Sequence, residues 1–379
     1  MKVRVLERAQ NTHESSAFPF ERVTVGKSPL VLASRPDPLF VLGDARSGTT
    51  FLANLLVYHP EIALSPESNF VVTLLDSTRG SSIATLRDLQ WTLTVVFREE
   101  KFRDWQLEER LLVDTLGAML PLRFGEFVRQ VLLAYRDAFY PGRSVYGLKK
   151  GGNYVLRAAE LMHHFPQARF IHIIRDPRAV FNSKKRTLHS RRATPMERDP
   201  YRSARHWTEL VLSFDRFARR FPAQTIEVSY EDLISNLPGT LGKILAFLEL
   251  NQREDLSRLA AESIEPLYVV SRYRDMHKNV GLPPQAARIE AWRHELTHEE
   301  IDAIEETVGG TLRFKGYEPY TVGSKQWPLA YSGWRKIATS CGRFQSWGSI
   351  SVRAMKGWFR RRLIKFVFHA RSVLLPVFW

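Results

Sequence analysis

Short apolar runs and amphipathic segments alternate along most of this chain. Apolar runs at residues 40–42, 62–64 and 168–174, and short segments at 144–148 and 225–229, predict strands. The run at 168–174 is apolar and β-branched, as expected of a strand that is buried on both faces of a parallel sheet. Because helical segments separate the strands, the pattern predicts an α/β fold with a doubly wound parallel sheet, in which ligands bind at the carboxyl ends of the strands.

Helical periodicity fills the intervals between the strands. Residues 82–140 show long apolar periodicities with charged faces, which predict several helices with Trp91, Trp105 and Phe127 in their core. Further helices are predicted at residues 49–58, 154–164, 201–220, 238–250, 253–264 and 298–308. The turns of unusual composition all follow strands, at residues 43–50, 65–67, 149–152, 175–183 and 230–233. This coincidence predicts one shared site.

The first strand runs into a Gly/Ser/Thr turn and then into an apolar helix, which is how a phosphate-binding loop is built. Gly43, Gly48 and Thr50 have the spacing of a Walker A loop, but Thr49 stands where that loop has its lysine. The nearest cation is Arg46, three residues earlier. The loop is therefore expected to hold an anion other than a nucleoside triphosphate; the alternative is an ordinary glycine-containing turn.

A second candidate anion site follows the strand at 168–174. Arg175 ends that strand, where a guanidinium is costly to desolvate without an anionic partner. Asp176 and Pro177 suit the start of a helix that carries Ser183, whose hydroxyl can face the same anion. Two phosphate sites on one sheet favour a nucleotide phosphorylated at both ends of its ribose. A P-loop kinase or nucleotide hydrolase is the alternative, which the missing Walker lysine disfavours.

Four ordered motifs between residues 38 and 320 resemble those of sulfotransferases that use 3′-phosphoadenosine 5′-phosphosulfate (PAPS). Arg46–Thr50 matches the 5′-phosphosulfate loop of that family, and Arg175–Ser183 matches its 3′-phosphate motif. Tyr230–Leu233 follows a strand, and His277–Gly281 precedes Trp292–Arg293. The resemblance implies a P-loop NTPase-like three-layer fold with a central parallel sheet, and PAPS as sulfuryl donor without a metal.

The resemblance also implies roles for individual residues. Arg46 is expected to neutralise charge that grows on the leaving 5′-phosphate during transfer. The residues expected to hold PAPS are Arg46, Ser47, Gly48, Thr49, Thr50, Lys150, Arg175, Ser183, Tyr230, Lys278 and Arg293.

The pattern around the first loop is closest to the tyrosylprotein, carbohydrate and bacterial branches of this family. In those branches the R-S-G-T-T motif is followed by a short helix, a His-Pro pair and a glutamate, which here are His59, Pro60 and Glu67. The resemblance therefore assigns Glu67 as the base for in-line transfer to a hydroxyl or amine of a carbohydrate, lipid-linked or other acceptor. The alternatives are a capping role for Glu67 and a base role for His59, which also suits a structural position at the end of a helix.

Composition divides the 379 residues into three regions: an arm at 1–36, the sulfotransferase-like domain at 37–320, and a tail at 321–379. The tail has eleven lysines and arginines, no acid and five of the nine tryptophans. The preceding residues carry 44 basic and 40 acidic residues, so most of the net charge of +15 lies in the tail. The single cysteine, Cys341, excludes an intrachain disulfide and fits a reducing compartment.

The tail predicts a basic C-terminal helix with one apolar stripe over residues 352–377 and with interfacial tryptophans at 358 and 379. Such a helix can lie on an anionic membrane surface; packing against the domain is the alternative. We expect a cytoplasmic protein, peripheral to the inner membrane face if the tail binds lipid. Nucleic acid is not an expected partner, because no recognition motif accompanies the charge. A non-catalytic, membrane-associated nucleotide-binding protein is a further alternative.

Overall fold

The computed structural model describes residues 37–188, 194–252, 273, 280 and 282–320. A five-stranded sheet lies at the centre, with the strand order β2-β3-β1-β4-β5 and every neighbouring pair parallel. The strands are β1 (Leu39–Gly43), β2 (Ile62–Ser65), β3 (Val145–Lys149), β4 (Arg169–Ile174) and β5 (Thr225–Ser229). Because all strands run the same way, the turns that follow them lie at one edge of the sheet.

Helices lie between the strands and after the last of them. Those before β4 are α1 (Thr49–Val57), α2 (Phe70–Thr78), α3 (Leu86–Phe97), α4 (Glu100–Arg103), α5 (Glu109–Gly117), α6 (Phe124–Phe139), α7 (Asn153–Leu156) and α8 (Ala158–His164). Those after β4 are α9 (Pro177–Arg186), α10 (Pro200–Arg220), α11 (Tyr230–Ser235), α12 (Leu237–Phe247), α13 (Ala287–Glu290), α14 (Trp292–Glu295), α15 (His298–Val308) and α16 (Gly310–Phe314). A 3₁₀ turn at Pro222–Gln224 precedes β5.

The side chains of β1 alternate between two hydrophobic cores, as the two-residue period of a strand requires. Phe40 and Leu42 belong to a core built with helices α2, α3, α5, α6, α8 and α10. Leu39 and Val41 belong to a second core built with α1, α11 and α12. The three layers, helices on either side of one parallel sheet, confirm the predicted fold class.

The predicted elements differ from the observed ones in a few places. The helix predicted at 154–164 is broken at Arg157 into α7 and α8. Trp105 and Phe127 are fully buried as predicted, but Trp91 is 51% exposed. The buried positions of α3 are Leu89, Thr92, Leu93 and Val96, at helical spacing, and Trp91 lies off that stripe.

The described residues fall into two compact units. Residues 37–308 and 317–320 belong to the first, and Gly309–Gly316, with helix α16, belongs to the second. The N-terminal arm, the helix predicted at 253–264, Lys278 and the basic tail lie outside the described residues. Within the described part of the chain, no helix is long and apolar enough to cross a membrane.

Candidate active site

The loop between β1 and α1 has the backbone of an anion-binding turn. Gly48 has a φ of +92°, and a Cβ atom there would clash with the ring of Tyr230, so both the conformation and the space favour glycine. Helix α1 begins at Thr49 with no side-chain cap and no acidic residue in its first turn. The hydroxyl of Ser47 is buried without a hydrogen-bond partner. The first N–H groups of α1 and this hydroxyl are therefore suited to an anion.

The two predicted phosphate motifs are in direct contact. Arg46, with a φ of +74°, donates from Nε to Ser183 Oγ at 3.1 Å. Arg175 in turn donates from Nη1 to the carbonyl of Arg46 at 3.1 Å. Burial and the charge of Arg175 lower the pKa of the Arg46 guanidinium. Arg175 and Ser183 of the second motif thus lie directly beside the first loop. The two predicted phosphate sites are therefore neighbours in contact with each other.

Arg175 is buried, 8% exposed, without a carboxylate at ion-pair distance among the described residues. Its Nη2 donates to the carbonyl of Arg288 at 2.8 Å, and its guanidinium stacks 4.1 Å from the centre of the Tyr230 ring. Its Nε is buried without a hydrogen-bond partner. Among the described residues this buried guanidinium is contacted by carbonyls and a ring and by no acid, so its position suits an anionic ligand.

Glu67 lies among three lysines at the carboxyl ends of β2 and β3. Lys149 contacts Oε1, whereas Lys101 lies 2.6 Å and Lys150 3.5 Å from Oε2. Lys149 also donates to Thr50 Oγ1 at 2.8 Å, which links the glutamate to the first turn of α1. Burial by itself would raise the pKa of Glu67, but the three lysines hold it well below its ordinary value. Glu67 is therefore ionised throughout the neutral range.

Lys149 shows the opposite balance of burial and charge. Only 3% of its side chain is exposed, and this burial lowers its pKa to about 8 although Glu67 opposes the shift. Lys101 keeps a raised pKa, because Glu67 outweighs its burial. Of the lysines around Glu67, Lys149 thus loses its proton at about pH 8, whereas Lys101 stays charged at neutral pH.

The segment that carries Glu67 is fixed by buried hydrogen bonds. Trp105 Nε1 donates to the carbonyl of Pro66 at 3.0 Å, and the Tyr154 hydroxyl donates to the carbonyl of Ser68 at 3.0 Å. The carboxylate of Glu99 accepts from the Ser68 hydroxyl. These bonds come from α7 and from the chain between α3 and α5, so the helical region behind β2 sets where Glu67 lies.

The remaining predicted residues occupy different surroundings. His59 is buried, accepts from the amide of Glu61 at Nδ1 (3.2 Å) and lies 3.3 Å from the carbonyl of Asn251 through Nε2, which is a structural position. Arg293 lies 3.1 Å from Glu290 and stacks on the rings of Trp292 and Tyr320. Its contacts therefore lie within and next to α14, and its role toward a phosphate stays a prediction.

Four residues that lie in or beside the site were not predicted from the sequence. Lys149 and Lys101 contact Glu67, and Arg288 contacts Arg175 through its carbonyl. Lys184 forms a buried ion pair with Asp44, the residue that follows β1, at 2.6 Å. Only Lys149 had a signal in the sequence, because it is the last residue of a buried strand. No cluster of three or more histidine, cysteine or acidic side chains that could hold a metal occurs among the residues the structure describes.

Comparison with known proteins gives consistent matches. The profile of the Sulfotransferase family matches residues 38–255, more than half of the chain. Protein-tyrosine sulfotransferase A of Caenorhabditis elegans is 23% identical over 311 residues, which are 80% of this chain and 73% of that protein. Omega-hydroxy-beta-dihydromenaquinone-9 sulfotransferase Stf3 of Mycobacterium tuberculosis is 25% identical over 284 residues, 62% of this chain and 68% of that protein.

Solved structures are similar at lower identity. The sulfotransferase domain from the curacin biosynthetic pathway has a TM-score of 0.49 and 18% identity, covering 75% of this chain and 99% of that domain. Mouse sulfotransferase SULT7A1, solved in complex with PAP, has a TM-score of 0.39 and 13% identity, covering 72% of this chain and 84% of that one.

Proposed function

This chain belongs to the Sulfotransferase family, and we propose from its site that it transfers a sulfuryl group from PAPS to a hydroxyl or amine of an acceptor. The main observation behind the proposal is that the loop after β1 and the segment from Arg175 to Ser183 contact each other beside the ionised Glu67. Arg46 and Ser183 join the segments, and Lys149 joins Glu67 to the first of them through Thr50.

The residues present fit a nucleotide with two phosphate groups. Ser47 Oγ and Arg175 Nε are buried polar atoms without partners, one in each segment. We propose that Ser47 and the first N–H groups of α1 hold the 5′-phosphosulfate, and that Arg175 and Ser183 hold the 3′-phosphate. Tyr230, packed on Gly48 and Arg175, lies between the two sets. Lys278, outside the described residues, and Arg293 are further candidates.

When bound, PAPS supplies the sulfuryl group for transfer. Arg46 and Lys149 place positive charge next to the loop, where negative charge on the 5′-phosphate increases as that group leaves. Glu67 is ionised, so it can accept the proton of an acceptor hydroxyl. The same lysines that keep it ionised lower its basicity, so we expect its assistance near the lower end of the usual range, about 10²-fold.

Ligand-dependent stability tests the donor. We expect adenosine 3′,5′-bisphosphate to raise the melting temperature, since ligand at about 100 times its dissociation constant adds about 2.7 kcal/mol. Arg175→Met should lose this shift, whereas Arg98→Met, at an exposed position, should keep it. Stabilisation by Mg-ATP and not by the bisphosphate would overturn the proposal in favour of a P-loop kinase or nucleotide hydrolase.

We propose an acceptor with a hydroxyl group on a carbohydrate, a lipid or another carrier. The two relatives are named for a protein tyrosine and for an ω-hydroxylated menaquinone. Transfer of ³⁵S from labelled PAPS to a tyrosine peptide, an ω-hydroxy lipid and a glycan would separate these classes. Bisphosphate binding without transfer to any hydroxyl or amine would favour a non-catalytic binding protein instead.

We also propose that the basic tail binds an anionic membrane surface at the cytoplasmic face. Its support is the composition of residues 321–379, which carry eleven basic residues and no acid. Co-sedimentation with anionic vesicles should be strong for the full chain and weak for a chain that lacks residues 345–379, with zwitterionic vesicles as control. Equal sedimentation of both chains would contradict the proposal.

A further inference from the structure

We infer that the buried ion pair between Asp44 and Lys184 is a positioning pair, which holds the loop after β1 and helix α9 together as one binding unit for both phosphates of a bisphosphate nucleotide. The inference rests on the proposed function, because it concerns how the two anion-binding segments act on one ligand. Neither side chain belongs to the residues proposed to contact that ligand.

The pair joins the two segments directly beside the residues proposed to bind phosphate. Asp44 is the first residue after β1, two positions before Arg46, and Lys184 follows Ser183 in α9. Lys184 Nζ lies 2.6 Å from Asp44 Oδ2, with 7% and 4% of the two side chains exposed. Asp44 Oδ1 lies 3.9 Å from His206 Nε2 on α10. An ionic hydrogen bond in such surroundings fixes the separation of the segments, because little solvent competes with it.

An acid in an anion-binding loop is unfavourable unless its charge is balanced. Unpaired, Asp44 would repel a phosphate bound at the neighbouring N–H groups. Lys184 cancels that charge, and together the two residues add no net charge to the site. A pair without net charge does not attract an anion, so its contribution to binding is geometric.

Side-chain contacts of Arg46 and Arg175 also join the same segments, but they use groups proposed to bind the ligand. Arg46 donates to Ser183, and Arg175 donates to the carbonyl of Arg46. Each of these side chains has a phosphate oxygen as an alternative partner. The Asp44–Lys184 pair is buried and neither of its side chains is assigned to the ligand, so it can maintain the separation of the segments with and without ligand.

Isothermal titration of the full chain with adenosine nucleotides shows whether the Asp44–Lys184 pair acts by its position or by its charge. Asp44→Glu keeps the charge and changes only the reach of the acid. If the pair acts by position, Asp44→Glu and Asp44→Asn should both weaken binding of adenosine 3′,5′-bisphosphate by about tenfold, within the range of couplings for contacting residues. They should change binding of adenosine 5′-monophosphate by less than about threefold, because a single phosphate needs only one segment.

A purely electrostatic role gives the opposite pattern. Asp44→Asn would then tighten binding of both nucleotides, and Asp44→Glu would leave both unchanged; either result overturns the inference. Lys184→Arg, which preserves the pair, should retain the preference for the bisphosphate, whereas Lys184→Met should lose it. If the wild-type chain does not bind the bisphosphate, the proposed function fails and the inference fails with it. If the wild type binds and the variants keep its preference, the inference alone fails.

Hydrogen exchange on the wild-type chain gives a second measurement that does not depend on the folding of any variant. Amides at 44–48 and at 182–186 should gain protection together when either adenosine 3′,5′-bisphosphate or a 5′-monophosphate is bound, because the two segments are one unit. Protection by the monophosphate that is confined to the first segment would contradict the inference.

Discussion

Glu67→Gln removes one charge from the site and leaves the size of the side chain unchanged. In the folded chain this carboxylate faces Lys149, Lys101 and Lys150, so the variant leaves three ammonium groups without their common counter-ion. The amide can still accept a hydrogen bond, but it cannot accept a proton from an acceptor hydroxyl. The variant therefore tests proton transfer by Glu67 while the shape of the pocket stays the same.

The size of the effect follows from the surroundings of Glu67. Loss of a general base costs 10²–10⁴-fold in rate, and the lowered pKa of Glu67 places the expected loss near about 10²-fold, or about 2.7 kcal/mol in activation free energy. Loss of a buried ion-pair partner costs about 3–5 kcal/mol of stability. Because Glu67 and Lys101 are 25% and 35% exposed and Lys149 can release its proton, we expect a loss of about 1–3 kcal/mol here.

The stability difference should also depend on pH. The folded-state pKa of Glu67 lies below its unfolded value, so its ionisation stabilises the fold fully above the unfolded pKa of about 4.3. As the pH falls below that value toward the folded-state pKa, the contribution is lost. Melting curves of wild type and Glu67→Gln should therefore differ most above about pH 5 and converge on acidification.

The assay is single-turnover transfer of ³⁵S from labelled PAPS, paired with titration of adenosine 3′,5′-bisphosphate. We expect the rate to fall by about 10²-fold and the dissociation constant of the bisphosphate to change by less than about threefold. Glu160→Gln, which removes the exposed partner of Arg157, is the matched control and should change neither. An unchanged rate would refute the base assignment. A parallel loss of bisphosphate affinity would show that Glu67 maintains the loop and does not take the proton.

Three further perturbations follow from the same geometry. If the charge of Lys149 assists the leaving group, kcat/KM should fall above about pH 8, where Lys149 loses its proton. Lys149→Arg should then shift this basic limb of the pH–rate profile to higher pH. A limb that does not shift would show that the charge of Lys149 takes no part in the reaction. Lys101→Met removes one of the charges that lower the pKa of Glu67, so the acidic limb of the rate profile should shift to higher pH, and a fixed limb would contradict the coupling. Gly48→Ala places a methyl group against Tyr230 at a φ of +92°. We therefore expect a lower melting temperature and about tenfold weaker bisphosphate binding. Wild-type affinity would show that the loop can adapt to the methyl group.

Much of the fold could be predicted because its signals are local. The observed bounds of the five strands differ from the predicted ones by about one residue. Strands β1, β2 and β4 are almost fully buried, which leaves little room for polar residues in their sequences. The tight turn between β1 and α1 could also be predicted, because Gly48 and Arg46 occupy fixed positions of one turn, whereas its binding of a phosphate stays a prediction. Trp91 was wrongly assigned to the core from the apolar periodicity of residues 82–140, because the stripe of α3 that is buried runs through Leu89, Leu93 and Val96 instead.

Contacts between distant segments could not be predicted in this way. Lys101 reaches Glu67 from 34 residues away, and Lys184 reaches Asp44 from 140 residues away. A lysine that neutralises a buried acid has the same local sequence as a lysine on a solvated helix face. Only the folded chain shows that Lys101 and Lys184 contact these acids, and that Lys184 is buried while Lys101 is partly exposed.

The position of β1 in the middle of the sheet has a consequence for how such a chain can diversify. The segments that carry Glu67 and Lys149 leave the sheet on one side of β1, and those that carry Arg175 and Tyr230 leave it on the other. Helices α2 to α6 come between β2 and β3 in the chain, so their two ends join the sheet on the first side. On the proposed function, exchange of residues 70–139 between related chains would alter the surroundings of Glu67 and leave the residues proposed to hold the 3′-phosphate in place. Recombination at the ends of β2 and β3 would then be a route by which one proposed donor site acquires new acceptors.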